Sequence, residues 1–176
     1  LREQDFVTIV TYAGSTGVLL EPTSGKDKEK IIKAIESMQS GGSTYGEGGL
    51  KLAYKKAKEH FNKDGINRIL LCTDGDFNVG VGDTESLKKY VEKEKESGVT
   101  LSTIGFGTGN YNDDLMEQIA DIGNGNYSYI DNYNEAVKVL ATELTSLLEV
   151  IAKDVKIQIE FNPDIVSHYK LIGYEN

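Results

Sequence analysis

The sequence predicts an α/β fold: a mostly parallel sheet with one antiparallel edge strand. Three observations carry that expectation. Strand-like runs alternate with helical patterns along most of the 176 residues, the order expected of parallel strands joined by crossover helices. Ile69 to Cys72 is a continuous apolar run, as expected of a strand covered on both faces. The first two strand-like runs are separated only by Gly14-Ser15-Thr16-Gly17, and a parallel crossover needs about a dozen residues, so these two pair antiparallel.

Taken in order, Asp5 to Ala13 is rich in β-branched and aromatic residues and reads as a strand, and Val18-Leu19-Leu20 begins the next. From Asp27 to Gln39, Ile31, Ile32, Ile35 and Met38 recur at helical spacing. A glycine-rich loop, Ser40 to Gly46, leads into a second helix with Leu50, Ala53, Tyr54, Ala57 and Phe61 on one face. The Ile69–Cys72 strand ends in Thr73-Asp74-Gly75-Asp76. Asp83 is placed to cap a helix running to about Ser97, with Gly98 as its stop. Val99 to Phe106 is the next strand, followed by Gly107-Thr108-Gly109-Asn110. A short helix then carries Leu115, Met116, Ile119 and Ile122 and ends at Gly123, and Tyr127 to Ile130 makes another strand. The longest helix follows, with Ala136, Val137, Leu140, Leu144, Leu147, Leu148 and Ile151 expected on its buried side. Beyond Lys153 the pattern changes. Val155, Ile157, Ile159 and Phe161 alternate with polar residues, as in a strand wet on one face, until Pro163 interrupts. Residues 1–153 therefore read as one domain, and 154–176 as a linker and the opening strands of a β-rich module.

Composition narrows the partners. Lys and Arg number 19 against 28 Asp and Glu, a net charge of −9, which argues against nucleic acid or an anionic membrane surface. The single cysteine, Cys72, excludes an internal disulfide framework or a Cys-rich zinc site, and reads as a small core residue. No apolar run reaches the roughly 20 residues that span a bilayer. The chain opens Leu-Arg-Glu-Gln-Asp, without Met, and reads as cut from something longer.

In an open parallel sheet, ligands meet the loops at the carboxyl ends of the strands. Three polar loops are expected on that rim: Gly41-Gly42-Ser43-Thr44, Thr73-Asp74-Gly75-Asp76, and Gly105 to Asn110. Hydroxyl and carboxylate oxygens at such positions suit Mg²⁺ or Mn²⁺. Plainer roles compete: Thr44 as a helix cap, Asp74 and Asp76 as turn residues, Asp83 as a cap, the glycines of 105–109 as a tight turn. His60 and His168 fall in different elements, and the tyrosines read as packing residues. Only the three loops taken jointly rise above these roles.

Several motifs fall short. Residues 74–85 approach an EF-hand loop, but Val79 stands where that loop needs glycine and a strand precedes it. Gly41 to Gly48 lacks the Lys-Ser/Thr pair of a P-loop, and Gly105-x-Gly107-x-x-Asn110 lacks the third glycine of a dinucleotide fingerprint. Asp74-x-Asp76 after an apolar strand resembles the nucleophile loop of haloacid-dehalogenase-like, Mg²⁺-dependent phosphatases. Asp74 would attack phosphorus and Asp76 handle the proton, with Asp113-Asp114 as a candidate acidic pair. Asn78 stands where that family usually has Thr or Val, and no partner lysine is evident.

The joint pattern resembles a von Willebrand factor type A (vWA, or I) domain. DFVTIVTYAGSTGVLL, GGSTYGEGGL before a helix, RILLCTDGDFNVG and TLSTIGFGTGNYND stand in the family's order and together cover nearly all of residues 5–151. GNGNYSYID and the tail DVKIQIEFNP…YKLIGYEN further resemble a bacterial YfbK-like subgroup, in which a vWA domain precedes a small β-rich region. The resemblance implies a doubly wound, Rossmann-like sheet with helices on both faces and a metal-ion-dependent adhesion site (MIDAS) at its rim. It implies that Thr44 is the site's threonine and Asp74 its Thr-Asp-Gly aspartate. A carboxylate from a partner protein would complete the Mg²⁺ or Mn²⁺ coordination. It also implies a non-enzymatic interaction module and, for the subgroup, an extracytoplasmic, envelope-associated setting in bacteria.

The chain departs from that family in one respect: no Asp-x-Ser-x-Ser occurs in it, and Leu1-Arg2-Glu3-Gln4 matches the end of the family's first helix. Two expectations follow. Phe6–Tyr12 and Ile69–Cys72, neighbours of the central strand in the family, must meet directly, borrow a strand or leave an apolar slot, which favours self-association through the sheet centre. Divalent binding by this chain should be weak or absent. A vWA scaffold used without metal is a further alternative.

Overall fold

The computed structural model describes residues 1–39, 41, 45–74, 83–107, 113–143 and 158–170. Two strands open the chain, β1 (Phe6–Thr11) and β2 (Gly17–Ser24). They pair antiparallel from Phe6↔Ser24 to Thr11↔Gly17, with register shifts around Ile9. Pro22 sits in β2 without cost because β2 is an edge strand. Helices α1 (Lys28–Glu36) and α2 (Gly46–Glu59) follow. Then come β3 (Asn67–Thr73), α3 (Thr84–Lys95), β4 (Val99–Phe106), α4 (Asp113–Ile122), β5 (Tyr127–Ile130) and α5 (Tyr133–Val137), which runs into a π-helical stretch, Lys138–Glu143.

Strands β3, β4 and β5 form a parallel sheet in that order, with Asn67↔Val99 through Thr73↔Gly105 and Thr103↔Tyr127 through Phe106↔Ile130 in register. Among the described residues no ladder joins β1 to β3, so the sheet is in two pieces. Helix α2 packs against both pieces and holds them together. Lys56 pairs with Glu21 of β2 at 3.1 Å, and Lys58 with Glu94 of α3 at 2.6 Å.

The main core lies on one face of the parallel sheet. Ile69, Leu71, Val99 and Leu101 meet Leu50 and Tyr54 of α2, Leu87 and Val91 of α3, and Leu115, Met116 and Ile119 of α4. On the other face a smaller cluster joins Ile104 and Ile130 to Val139, flanked by Phe106 and Ala136. Helices therefore cover both faces, as expected of a doubly wound sheet. Local signals operate as the sequence suggests: the Asp83 carboxylate accepts from the Ser86 N–H at 2.6 Å, which caps α3, and Gly98 (φ +82°) ends the turn after it.

Several expectations are corrected. Among the described residues, strand β3 buries one face: Ile69, Leu71 and Thr73 are buried, whereas Leu70 and Cys72 are exposed. Among the described residues, the cluster on the second face joins Val139 to β4 and β5 and includes no residue of β3. Cys72 is thus no core residue, although nearby protein atoms still push its thiol up. On α1 only Ile31 is buried; Ile32 and Ile35 are exposed, because a two-stranded sheet offers too narrow a floor for the whole apolar face, and Met38, expected on the same helix, lies past its end and is exposed too. Along α5 and the π-helical stretch after it, Ala136 and Val139 face the core while Val137 and Leu140 are exposed. The wider π-helical turn changes which residues share a face. Leu144, Leu147, Leu148 and Ile151 lie outside the described residues. Of the strand expected beyond Lys153, Val155 and Ile157 lie outside the described residues, and residues 158–170 contain no strand. Asn162 builds a turn there, its side chain accepting from the Asp164 N–H at 2.9 Å, and Phe161 stacks on Tyr169 with ring centroids 4.5 Å apart.

Candidate functional site

The carboxyl ends of β1, β3, β4 and β5 come together at one rim. Tyr12, the residue after β1, accepts at its backbone carbonyl from the Tyr45 N–H (3.1 Å), the N-cap of α2. Its phenol donates to the carbonyl of Cys72 near the end of β3. Beyond the end of β4, Gly107 (φ +102°) comes so close that a Cβ there would lie 3.5 Å from the Asp74 carbonyl oxygen. Tyr129 of β5 donates its phenol to the Gly107 carbonyl, and the Gly107 N–H donates to Ile130 at 3.4 Å. The rim is therefore stitched across every strand end by two tyrosines and one glycine.

Asp74 follows β3 directly. Its carboxylate is exposed and makes no hydrogen bond or ion pair among the described residues. Burial pushes the Tyr12 phenol up to about 12, the Thr73 hydroxyl hydrogen-bonds it and pulls the other way, and the nearby Cys72 and Asp74 add to the rise. The phenol is thus a permanent donor at ordinary pH.

Thr44 and Asp76 lie outside the described residues, as do Thr108 to Asn110 and most of the window that approached an EF-hand. The N-cap of α2 is Tyr45 rather than Thr44, with no side-chain cap hydrogen bond. Among the described residues, no three His, Cys, Asp or Glu side chains come together as a metal cluster. The donor available at the rim is nonetheless of the right kind: a hard, exposed, unpaired carboxylate at a strand end. Asp113 does not stand free as one of an acidic pair, since it accepts from the Tyr127 phenol. His60 follows the last turn of α2, and His168 lies in the 158–170 segment beside Ser167.

Sequence reasoning treated the tyrosines as packing residues and so missed Tyr12 and Tyr129 at the rim. The available signal was positional, a hydroxyl-bearing aromatic at the carboxyl end of two strands. Gly49 was missed as well. It lies in the first turn of α2, and a Cβ there would stand 2.5 Å from the Tyr12 Cβ.

Comparison with known proteins agrees with this architecture. The profile of the von Willebrand factor type A domain matches residues 2–143, and that of the C-terminal region of uncharacterized protein YfbK matches residues 146–176. The chain is 57% identical over 175 residues to uncharacterized protein YfbK of Escherichia coli K12, covering 99% of this chain and 30% of that protein. It thus spans about a third of the length of its curated relatives. Among solved structures, the conserved hypothetical protein BatB from Bacteroides thetaiotaomicron superposes with a TM-score of 0.65 at 22% identity, covering 84% of this chain and 80% of that one. Proximal thread matrix protein 1 of the mussel byssus, solved with a zinc-occupied MIDAS motif, superposes at 0.59 with 25% identity, covering 76% and 34%.

Proposed function

The chain belongs to the von Willebrand factor type A family, and on that premise we propose that it is a non-enzymatic protein-interaction module that engages its partner through a divalent cation, Mg²⁺ or Mn²⁺, at the sheet rim. The observation that supports this is the exposed Asp74 carboxylate just after β3, unpaired among the described residues, on a rim that ties together the ends of β1, β3, β4 and β5. Asp74 and Thr44 are the residues that would hold the ion. When bound, the cation supplies the point of attachment for a partner carboxylate. The zinc-occupied MIDAS motif of the mussel protein is a precedent for metal in a protein of similar fold.

Two ligands do not make a tight site for an ion that takes six oxygens. In this reading a strand seated between β1 and β3 brings the Asp-x-Ser-x-Ser loop, and the 176-residue chain alone binds metal weakly or not at all. The edges of β1 and β3, which no ladder joins among the described residues, also support self-association through the sheet centre when that strand is absent. The organisation proposed is a vWA-like domain over 1–153 and the start of a β-rich region over 154–176. The setting proposed is the bacterial envelope, outside the cytoplasm.

An aryl phosphate assay tests the non-enzymatic character. No turnover is expected with Mg²⁺ present; turnover lost in Asp74→Asn would replace this reading with a Mg²⁺-dependent phosphatase using Asp74 and Asp76.

A further inference from the structure

We propose that the outward face of α1 is a docking surface for a basic amphipathic helix of a partner protein. It names a second contact for the interaction module read above, and it does not depend on the cation. Helix α1 packs on β2 and buries Ile31. Ile32 and Ile35 are left 52% exposed each. At 3.6 residues per turn, Lys28, Ile32 and Ile35 fall within about 60° of one another around the helix. Their spacing of i, i+4 and i+7 is that of the core positions along a helix–helix contact, so the stripe fits a second helix.

Charge selects the partner. Glu29 and Glu36, one heptad apart, border the stripe beside Ile32, at the flanking positions that set partner choice when helices pair. Both are exposed, and neither carboxylate makes an ion pair among the described residues. Lys30 and Lys33 lie farther round the helix, and Lys28, at the amino end of the stripe, offers a long apolar stem below its charge. A complementary helix therefore carries apolar residues at its centre and Lys or Arg along its flank. The net charge of −9 also draws in basic partners. The two glutamates disfavour other occupants. A second copy of α1, packed antiparallel, would set them against their own copies, and an anionic membrane surface needs lysines where they stand. Nine residues make a short contact, so the expected binding is weak and transient.

The test uses the 176-residue chain in EDTA with three labelled peptides as probes. The first is helical, with Leu at its core positions and Lys at its flanks. The second has each Lys changed to Glu, and the third scrambles the first. Fluorescence anisotropy should show the Lys peptide binding about tenfold tighter than either of the others. Glu29→Lys combined with Glu36→Lys should weaken the Lys peptide about fivefold and strengthen the Glu peptide. Ile32→Ser combined with Ile35→Ser should weaken it about tenfold with little change in melting temperature, because both side chains are exposed. Amide hydrogen exchange should slow over residues 28–36 on binding and stay as it was in α4. Equal binding of the Lys and Glu peptides, or of the scrambled one, overturns the proposal, as does binding that survives the isoleucine changes. So does protection of residues 28–36 in a free version extended at its N-terminus through the family's first strand, which would assign the face to the protein's own upstream chain. A dimer lost with Ile32 and Ile35 would assign it to a second copy and overturn the proposal too. With metal removed by EDTA, none of these outcomes decides the cation-site reading.

Discussion

Leu70 and Leu71 are neighbours in β3, yet Leu71 is 4% exposed and Leu70 is 40% exposed. Alternation along a strand sends them to opposite faces. One face carries three helices; among the described residues, the cluster on the other face includes no residue of β3. Leu71→Ala should therefore cost about 2–5 kcal/mol, whereas Leu70→Ala should cost under about 1 kcal/mol. Urea unfolding of the two variants measures the contrast, and equal losses would show β3 buried on both sides.

Two glycines make a second paired comparison. A Cβ on Gly125 would stand 1.9 Å from the Leu101 carbonyl oxygen, and that atom is backbone and cannot swing away. Gly125→Ala should destabilise by about 1–3 kcal/mol. Gly17, at the start of β2, has nothing within 4 Å of its would-be Cβ. Gly17→Ala should stabilise by up to about 1 kcal/mol through the unfolded chain. Thermal melts that rank the two the other way would refute the packing described around β4.

The cap on α3 gives a pH dependence. The Ser86 side chain and N–H hold the Asp83 carboxyl below its ordinary value of 3.8. A depressed carboxylate stabilises the fold above its unfolded pKa, and that stabilisation is lost as pH falls through the folded value. Asp83→Ala should thus melt lower than wild type at pH 7, with the gap closing below pH 3.8. A gap that stays constant down to pH 2.5 would contradict the cap as the cause.

The edges of β1 and β3, which no ladder joins among the described residues, predict association. At concentrations where scattering is practical, the 176-residue chain should have a mass above that of a monomer, and extension through a central strand should abolish the excess. A monomeric mass for the short chain would refute self-association through the sheet centre.

Much of this was legible beforehand because local chemistry and pattern agree. Asp83, Gly98 and the spacing of Leu115, Met116 and Ile119 set their elements without tertiary help. Val99–Phe106 and Tyr127–Ile130 are strands in sequence and structure alike. What periodicity does not carry is the supply of neighbours. Leu70, Cys72, Ile32 and Ile35 have the composition of core residues, and only the layout of the sheet leaves them exposed. At the rim, the sequence pointed to Asp74 by its strand-end position. Tyr12, Gly49 and Tyr129 act through contacts between segments far apart in the chain, 60 residues in the case of Tyr12 and Cys72, and no local pattern announces such contacts.

The most direct measurement is calorimetric titration of Mg²⁺ and Mn²⁺ into the 176-residue chain beside the version extended through the family's first strand. The account predicts binding in the extended protein, abolished by Thr44→Ala and by Asp74→Ala, and little or none in the short chain. No binding in either would leave a vWA scaffold that works without metal. Equal binding in both would contradict the account outright, by assigning the site to Asp74 and Asp76 alone.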